Sequence, residues 1–151
     1  MWLDSHCHVT ADRFDEDRDA VLARTFESGV DALVSIGSGY GRDGNDRAIA
    51  LAERDPRIFA TVGVHPHEAV DGTDTIVDLL DTPGIVAIGE AGLDYFYEHS
   101  PRDQQRRVFA EHIGLAHDRG LPLVIHSRDA WEDTFEILDA EGVPEHTIFH
   151  C

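Results

Sequence analysis

The sequence predicts an α/β protein built on a parallel sheet, and three observations carry that expectation. Short apolar runs alternate with amphipathic stretches along the whole chain, the rhythm of repeated strand and helix units. Six side chains able to ligate a metal, His6, His8, His65, Glu90, His126 and His150, each fall where one of those apolar runs ends. With 151 residues and 42% hydrophobic content there is material for one packed domain, residues 1–151, and not for two ordinary ones. Donors gathered at the ends of parallel strands are how a TIM-type (β/α)8 barrel builds a site, because the connecting loops there vary without disturbing the core.

Taken in order, the first strand is about Trp2 to His6. An acidic helix follows near Asp15 to Glu27, with Val21, Leu22 and Phe26 on one face, and stops at Gly29. The second strand is Ala32 to Ile36, followed by a glycine-rich turn, Gly37 to Gly41, that reads as a strand-to-helix connection, not a phosphate cradle. A helix near Asn45 to Glu53 leads to a third strand, Ile58 to Val64, closing with His65-Pro-His67. The fourth strand is Ile85 to Gly89, with Glu90 directly after it.

The longest helix should run from Pro101 or Arg102 to Asp118, with proline suited to its first turn and Gly120 to its end. Its stripe of Val108, Phe109, His112, Ile113 and Ala116 makes His112 a packed residue, and His99 and His117 are read as structural or solvated. The fifth strand is Leu121 to Ile125, ending in His126, and the sixth is Thr147 to Phe149, ending in His150. That makes six strands and about five helices. An eight-unit barrel takes about 250 residues, so the chain is expected to cover the first six strands. Two units are then missing at the C-terminus and one sheet edge stays open.

There are 30 acidic residues against 12 basic ones, all arginine, for a formal charge of −18. A dispersed, lysine-free acidic surface suggests a halophilic protein, because concentrated salt screens self-repulsion. It also argues against a broad basic grip on nucleic acid, so any polyanion must be held locally. The N-terminus has no basic region followed by an apolar stretch and no run is long enough to span a bilayer, so the expectation is cytoplasmic, with no membrane and no obligate protein partner. Cys7 and Cys151 are expected to be reduced, with Cys7 packed inward on the barrel wall.

In a strand alternate residues share a face, so Asp4, His6 and His8 point one way and two imidazoles can clamp one ion. Glu90 follows Ile85-Val-Ala-Ile-Gly89, too apolar a run to leave a carboxylate ionised without a compensating cation. Imidazoles with a carboxylate suit zinc, manganese, iron or nickel, and pure oxygen cages suit magnesium or calcium, so the set does not fix the metal. A central carboxylate can bridge two ions about 3.5 to 4 Å apart, the arrangement used for hydrolysis.

Asp4-Ser-His-Cys-His8, Gly63-Val-His-Pro-His67, Ile88-Gly-Glu-Ala-Gly-Leu-Asp-Tyr95, Arg102-Asp-Gln-Gln-Arg106, Leu123-Val-Ile-His-Ser-Arg128 and Phe149-His-Cys151 together resemble the TatD family of metal-dependent hydrolases. The resemblance covers the whole length. It implies an amidohydrolase-like barrel and a deoxyribonuclease acting on DNA, single-stranded or at 3′ ends, with two divalent metal ions, zinc, magnesium or manganese. Carried over, His6 and His8 would hold one ion, Glu90 would bridge both, and His126 with His150 would hold the second. His65 would face the bound phosphate, Arg128 would neutralise a phosphate oxygen, and Asp94, like Asp4, would orient ligands from behind.

Members of the family carry a further metal-binding aspartate after the seventh strand, which lies beyond Cys151, and no general base replaces it here. Two other readings stay open. The same two ions polarise a carbonyl as readily as a phosphoryl group, so ester or amide hydrolysis, such as removing a D-amino acid from tRNA, is one. An inactive metal-binding fragment whose open edge pairs with another chain is the other.

Overall fold

The computed structural model describes residues 1–150, so the expectation for Cys151 lies outside the described residues. Six parallel strands form one sheet in sequence order: β1 (Leu3–Cys7), β2 (Ala32–Ser35), β3 (Ile58–Val62), β4 (Ile85–Asp94), β5 (Leu123–Arg128) and β6 (Thr147–His150). Each strand pairs with the next in parallel, and β1 and β6 remain the two unpaired edges. Four α-helices cover the outside: α1 (Arg18–Glu27), α2 (Gly41–Arg54), α3 (Arg102–Arg119) and α4 (Trp131–Glu141). This is three-quarters of an eight-stranded TIM-type barrel, its helices on one face and its strand ends curling round a common mouth.

Two departures from expectation concern the site. The connection between β3 and β4 holds no α-helix but a series of 3-10 turns, Pro66–Asp71, Thr73–Thr75 and Val77–Leu79, so among the described residues the α-helices number four and not about five. Pro66, and glycine and threonine at 72 and 73, interrupt any longer helical period there. Second, Glu90 and His126 stand inside strands, not after them. β4 continues four residues past Glu90 because the register slips between Gly89 and Ala91, after which Ala91–Asp94 pair with Ile125–Arg128. The strand-end reading failed at Glu90 because an irregularity of one residue resembles a stop in a one-dimensional pattern, and at His126 because β5 runs on through the polar Ser127 and Arg128.

The main core lies between the sheet and α3 and α4, with Val62, Ile88, Leu93, Phe109, Ile113 and Ile125 fully buried. His112 belongs to this core: its Nδ1 donates to the Val108 carbonyl at 2.7 Å and its Nε2 accepts the Val64 amide at 3.0 Å. α3 thereby fixes the segment leading into His65. A smaller cluster of Val9, Leu22, Leu33, Leu51 and Ile58 packs α1 against β1 and β2, with Cys7 against it. The Cys7 thiol lies 3.4 Å from the Val34 carbonyl, and burial with nearby Asp4 pushes it up to about 12, so it stays protonated. Among the described residues no helix is long and apolar enough to cross a membrane.

Candidate metal centre

Glu90 is buried at the slip in β4, and its two carboxylate oxygens face two different sets of imidazoles. Oε2 lies 3.4 Å from His6 Nε2 and 3.5 Å from His8 Nε2, and those two nitrogens are 3.3 Å apart. Oε1 lies 2.8 Å from His126 Nδ1 and 3.7 Å from His150 Nε2. Donors about 2.1 Å from a shared ion stand roughly 3 to 3.5 Å apart, and the triangle of His6, His8 and Glu90 Oε2 has that spacing. Two groupings, His6 with Glu90 and His150, and His65 with Glu90 and His126, bring one donor atom from each residue within 4.8 Å of the others.

The electrostatics agree with a cation site. Burial pushes the Glu90 carboxyl up, but hydrogen bonds with His126, His6 and His8 outweigh it and hold the group far below the usual carboxylate range. Burial pulls His126 down, and its contacts with Glu90 and Asp94 more than reverse that. His150 is drawn down, chiefly by burial. A buried, ionised carboxylate ringed by imidazoles is a donor set able to hold a divalent cation.

Residues behind the ligands fix their orientation. His126 Nε2 donates to Asp94 Oδ2 at 3.2 Å, which leaves Nδ1 directed at Glu90. Asp94 Oδ2 also accepts His67 Nε2 at 2.8 Å, and Oδ1 accepts the Phe96 and Tyr97 amides at 3.0 and 2.9 Å. Burial pushes Asp94 up, but the Tyr97 amide, His67 and His126 bring it to about 2. Asp4 is exposed, and its carboxylate accepts the His6 amide at 3.1 Å, bracing the backbone of β1 without reaching the cluster.

His65 lies with its ring centroid 4.8 Å from that of His126. Its Nδ1 accepts the His67 amide at 3.2 Å, so Nε2 carries the hydrogen, and burial draws the ring down to about 3. Arg128 points along the surface, with its guanidinium carbon 4.1 Å above the Phe96 ring and 4.8 Å from the centre of Tyr97.

The sequence reading missed three supporting groups. His67 repeats the His-x-His spacing of His6 and His8, and that repeat was the available signal. Ser38 accepts the Glu90 amide at 3.1 Å, and Glu68 accepts the Gly39 and Gly41 amides at 3.2 and 2.8 Å. The glycine-rich turn therefore gives two of its N–H groups to a carboxylate of this chain, in keeping with a connection and not a phosphate cradle. Nothing local in sequence marks a serine between glycines as a brace for a residue 52 positions away.

Comparison with known proteins places this geometry. The chain is 38% identical to an uncharacterised metal-dependent hydrolase, YabD, of Bacillus subtilis (strain 168), over 100% of this chain and 60% of that protein. It is 34% identical to a 3′-5′ ssDNA/RNA exonuclease TatD of Salmonella typhimurium, over 99% of this chain and 58% of the relative. Among solved structures, YJJV, a TatD homologue from Escherichia coli K12, superposes with a TM-score of 0.87 at 27% identity, covering 99% of this chain and 59% of that one. The fold is also that of a TatD family hydrolase from Entamoeba histolytica, with a TM-score of 0.88 at 23% identity, over 99% of this chain and 57% of that chain. The chain thus spans about three-fifths of the length of the relatives it matches. The profile of TatD related DNases matches residues 3–151, and the chain belongs to that family.

Proposed function

We propose that this chain carries the metal-holding part of a hydrolase that cleaves phosphodiester bonds at the ends of single-stranded DNA. The observation that carries the reading is the division of Glu90, one oxygen toward His6 and His8 and the other toward His126 and His150. The relatives named 3′-5′ ssDNA/RNA exonuclease support the substrate class.

In this reading His6, His8 and Glu90 hold one divalent ion, and Glu90, His126 and His150 hold a second. Four imidazoles to one carboxylate favour zinc or manganese over magnesium. Ions bound there supply Lewis acidity toward a phosphate oxygen and activate water. Asp94 keeps the His126 ring turned so that Nδ1 faces the centre. His65, neutral and with its hydrogen on Nε2, donates a hydrogen bond to a phosphate oxygen, a role that rests on its Nδ1 being occupied by the His67 amide. Arg128 neutralises a neighbouring phosphate.

The test uses the purified chain with zinc, manganese or magnesium on short single-stranded DNA, with RNA and an aminoacyl ester in parallel. Stepwise shortening of DNA, abolished by chelator and by Glu90→Gln, is expected, with metal per chain falling in that variant. Undiminished cleavage by Glu90→Gln, or hydrolysis of the ester alone, refutes the reading.

A further inference from the structure

We propose that Phe96, Tyr97 and Arg128 form a nucleotide subsite beside the metal centre, where an unpaired base stacks on Phe96 and Arg128 receives the adjoining phosphate. The inference rests on the nuclease reading above and adds to it where the strand lies and why it must be single.

The chain has 12 arginines among 30 acidic residues, and ten of the twelve are in ion pairs with carboxylates among the described residues. Arg128 has no such partner among the described residues. It is the last residue of β5, two positions after His126, so a cation without a carboxylate partner stands at the mouth of the site, against the Phe96 and Tyr97 rings. On a protein of charge −18 a polyanion is repelled from most of the surface and drawn to such a point.

Phe96 and Tyr97 are 56% and 51% exposed, which is unusual for neighbouring large rings beside a buried polar cluster. They are nevertheless held firmly, since both amides donate to Asp94 and the Tyr95 amide donates to the Arg128 carbonyl at 2.9 Å. Arg128 lies over one side of Phe96, and Tyr97 meets Phe96 edge-on with centroids 4.7 Å apart. A planar, half-exposed ring with a cation over one side leaves the other side for a base and holds a positive charge beside the adjoining phosphate.

The His67 ring is 6.4 Å from His126 and 5.6 Å from Tyr97, and Asp94 binds His67, His126 and the Phe96 and Tyr97 amides together. One carboxylate therefore sets the position of Phe96 and Tyr97 relative to His126. Stacking on Phe96 needs an exposed base face, which a duplex buries between its own pairs, so the subsite selects single strands without reading their sequence.

The test uses the whole chain loaded with zinc and a thymidine tetranucleotide with phosphorothioate linkages, carrying 2-aminopurine at each position in turn. Wild-type protein should bind it, with 2-aminopurine fluorescence quenched most strongly at one position, and should bind the matching duplex more weakly. Phe96→Ala should abolish that quench and weaken binding about tenfold, at unchanged zinc content, and Phe96→Tyr should keep both. Arg128→Gln should lower the slope of log affinity against log salt by about 0.7. Phe96→Ala binding as tightly as wild type, or losing affinity only together with zinc, overturns the subsite and leaves the nuclease reading standing. Wild-type protein that fails to bind the oligonucleotide at all overturns both.

Discussion

His6 on β1 and His150 on β6 stack face to face, with ring centroids 3.8 Å apart and planes within 10°. They come from the two unpaired edges of the sheet, so no backbone ladder joins them. Five successive parallel pairings, each twisted in the same sense, bring them together. Both rings also face Glu90, at 3.4 and 3.7 Å.

Metal should therefore stabilise the fold as well as fit it, by clamping the first strand to the last. At a free concentration about 100 times Kd a single bound ion adds about 2.7 kcal/mol, which for a domain of this size raises Tm by roughly 5 to 10 °C. Scanning calorimetry with zinc or manganese, followed by chelator, measures it, and His6→Ala or His150→Ala should cut the gain. A Tm indifferent to every divalent ion tried would contradict the site.

Gly92 ties β4 to β5 where Glu90 and His126 meet. Its φ is 139°, and a Cβ there would stand 2.1 Å from the His126 carbonyl oxygen, which the backbone cannot yield. Gly92→Ala should cost about 3 kcal/mol or more in urea unfolding and lower metal content with it. Gly114→Ala is the control: it lies within α3 with nothing within 4 Å of the added carbon, and should gain about 0.5 to 1 kcal/mol. Equal and small effects of the two substitutions would refute this account of the β4 and β5 approach.

The parallel sheet and the order of its strands were legible in the sequence because buried parallel strands read as short apolar runs, and Leu123–Ile125 or Ile58–Val62 have few alternatives. Gly120, with φ of 60°, ends α3 as its position suggested. What was not legible depends on contacts between distant segments. That Glu90 lies within β4 follows from a register slip, and that Asp4 braces its own strand follows from one hydrogen bond at 3.1 Å. Ser38, Glu68 and His67 act through partners 27 to 52 residues away, and residue type alone carries no trace of such pairings.

His112 supplies a pH dependence that is separable from the metal site. Burial, against its bond to the Val108 carbonyl, draws its pKa from 6.5 to about 4. The unfolded chain therefore binds a proton that the folded chain refuses between those values, so stability is full above pH 6.5 and falls as pH drops toward 4. The difference is on the order of 3 kcal/mol. His112→Gln keeps a polar group on the stripe but does not titrate, so urea unfolding between pH 7 and 5 should fall less steeply for the variant than for wild type. Parallel pH profiles would show that His112 is not the group responsible.

Salt should stabilise this protein, although it weakens individual ion pairs. The exposed pairs, such as Arg42 with Asp78 or Arg47 with Asp43, contribute little each and lose part of that in salt. Against them stand 18 negative charges in excess, spread over a domain of 151 residues. Raising ionic strength from 0.1 to 1 M shortens the screening length from about 10 Å to about 3 Å, which removes most repulsion between neighbouring acids while leaving contact pairs partly intact. Repulsion is therefore the larger effect, and Tm should rise by several degrees between 0.1 and 2 M potassium chloride. A substitution set that replaces exposed aspartates outside the ion pairs, such as Asp74, Asp118 and Asp139, with asparagine should reduce that rise. A Tm that is flat or falls over the same range would mean that the arginine pairs, and not the excess charge, govern the surface.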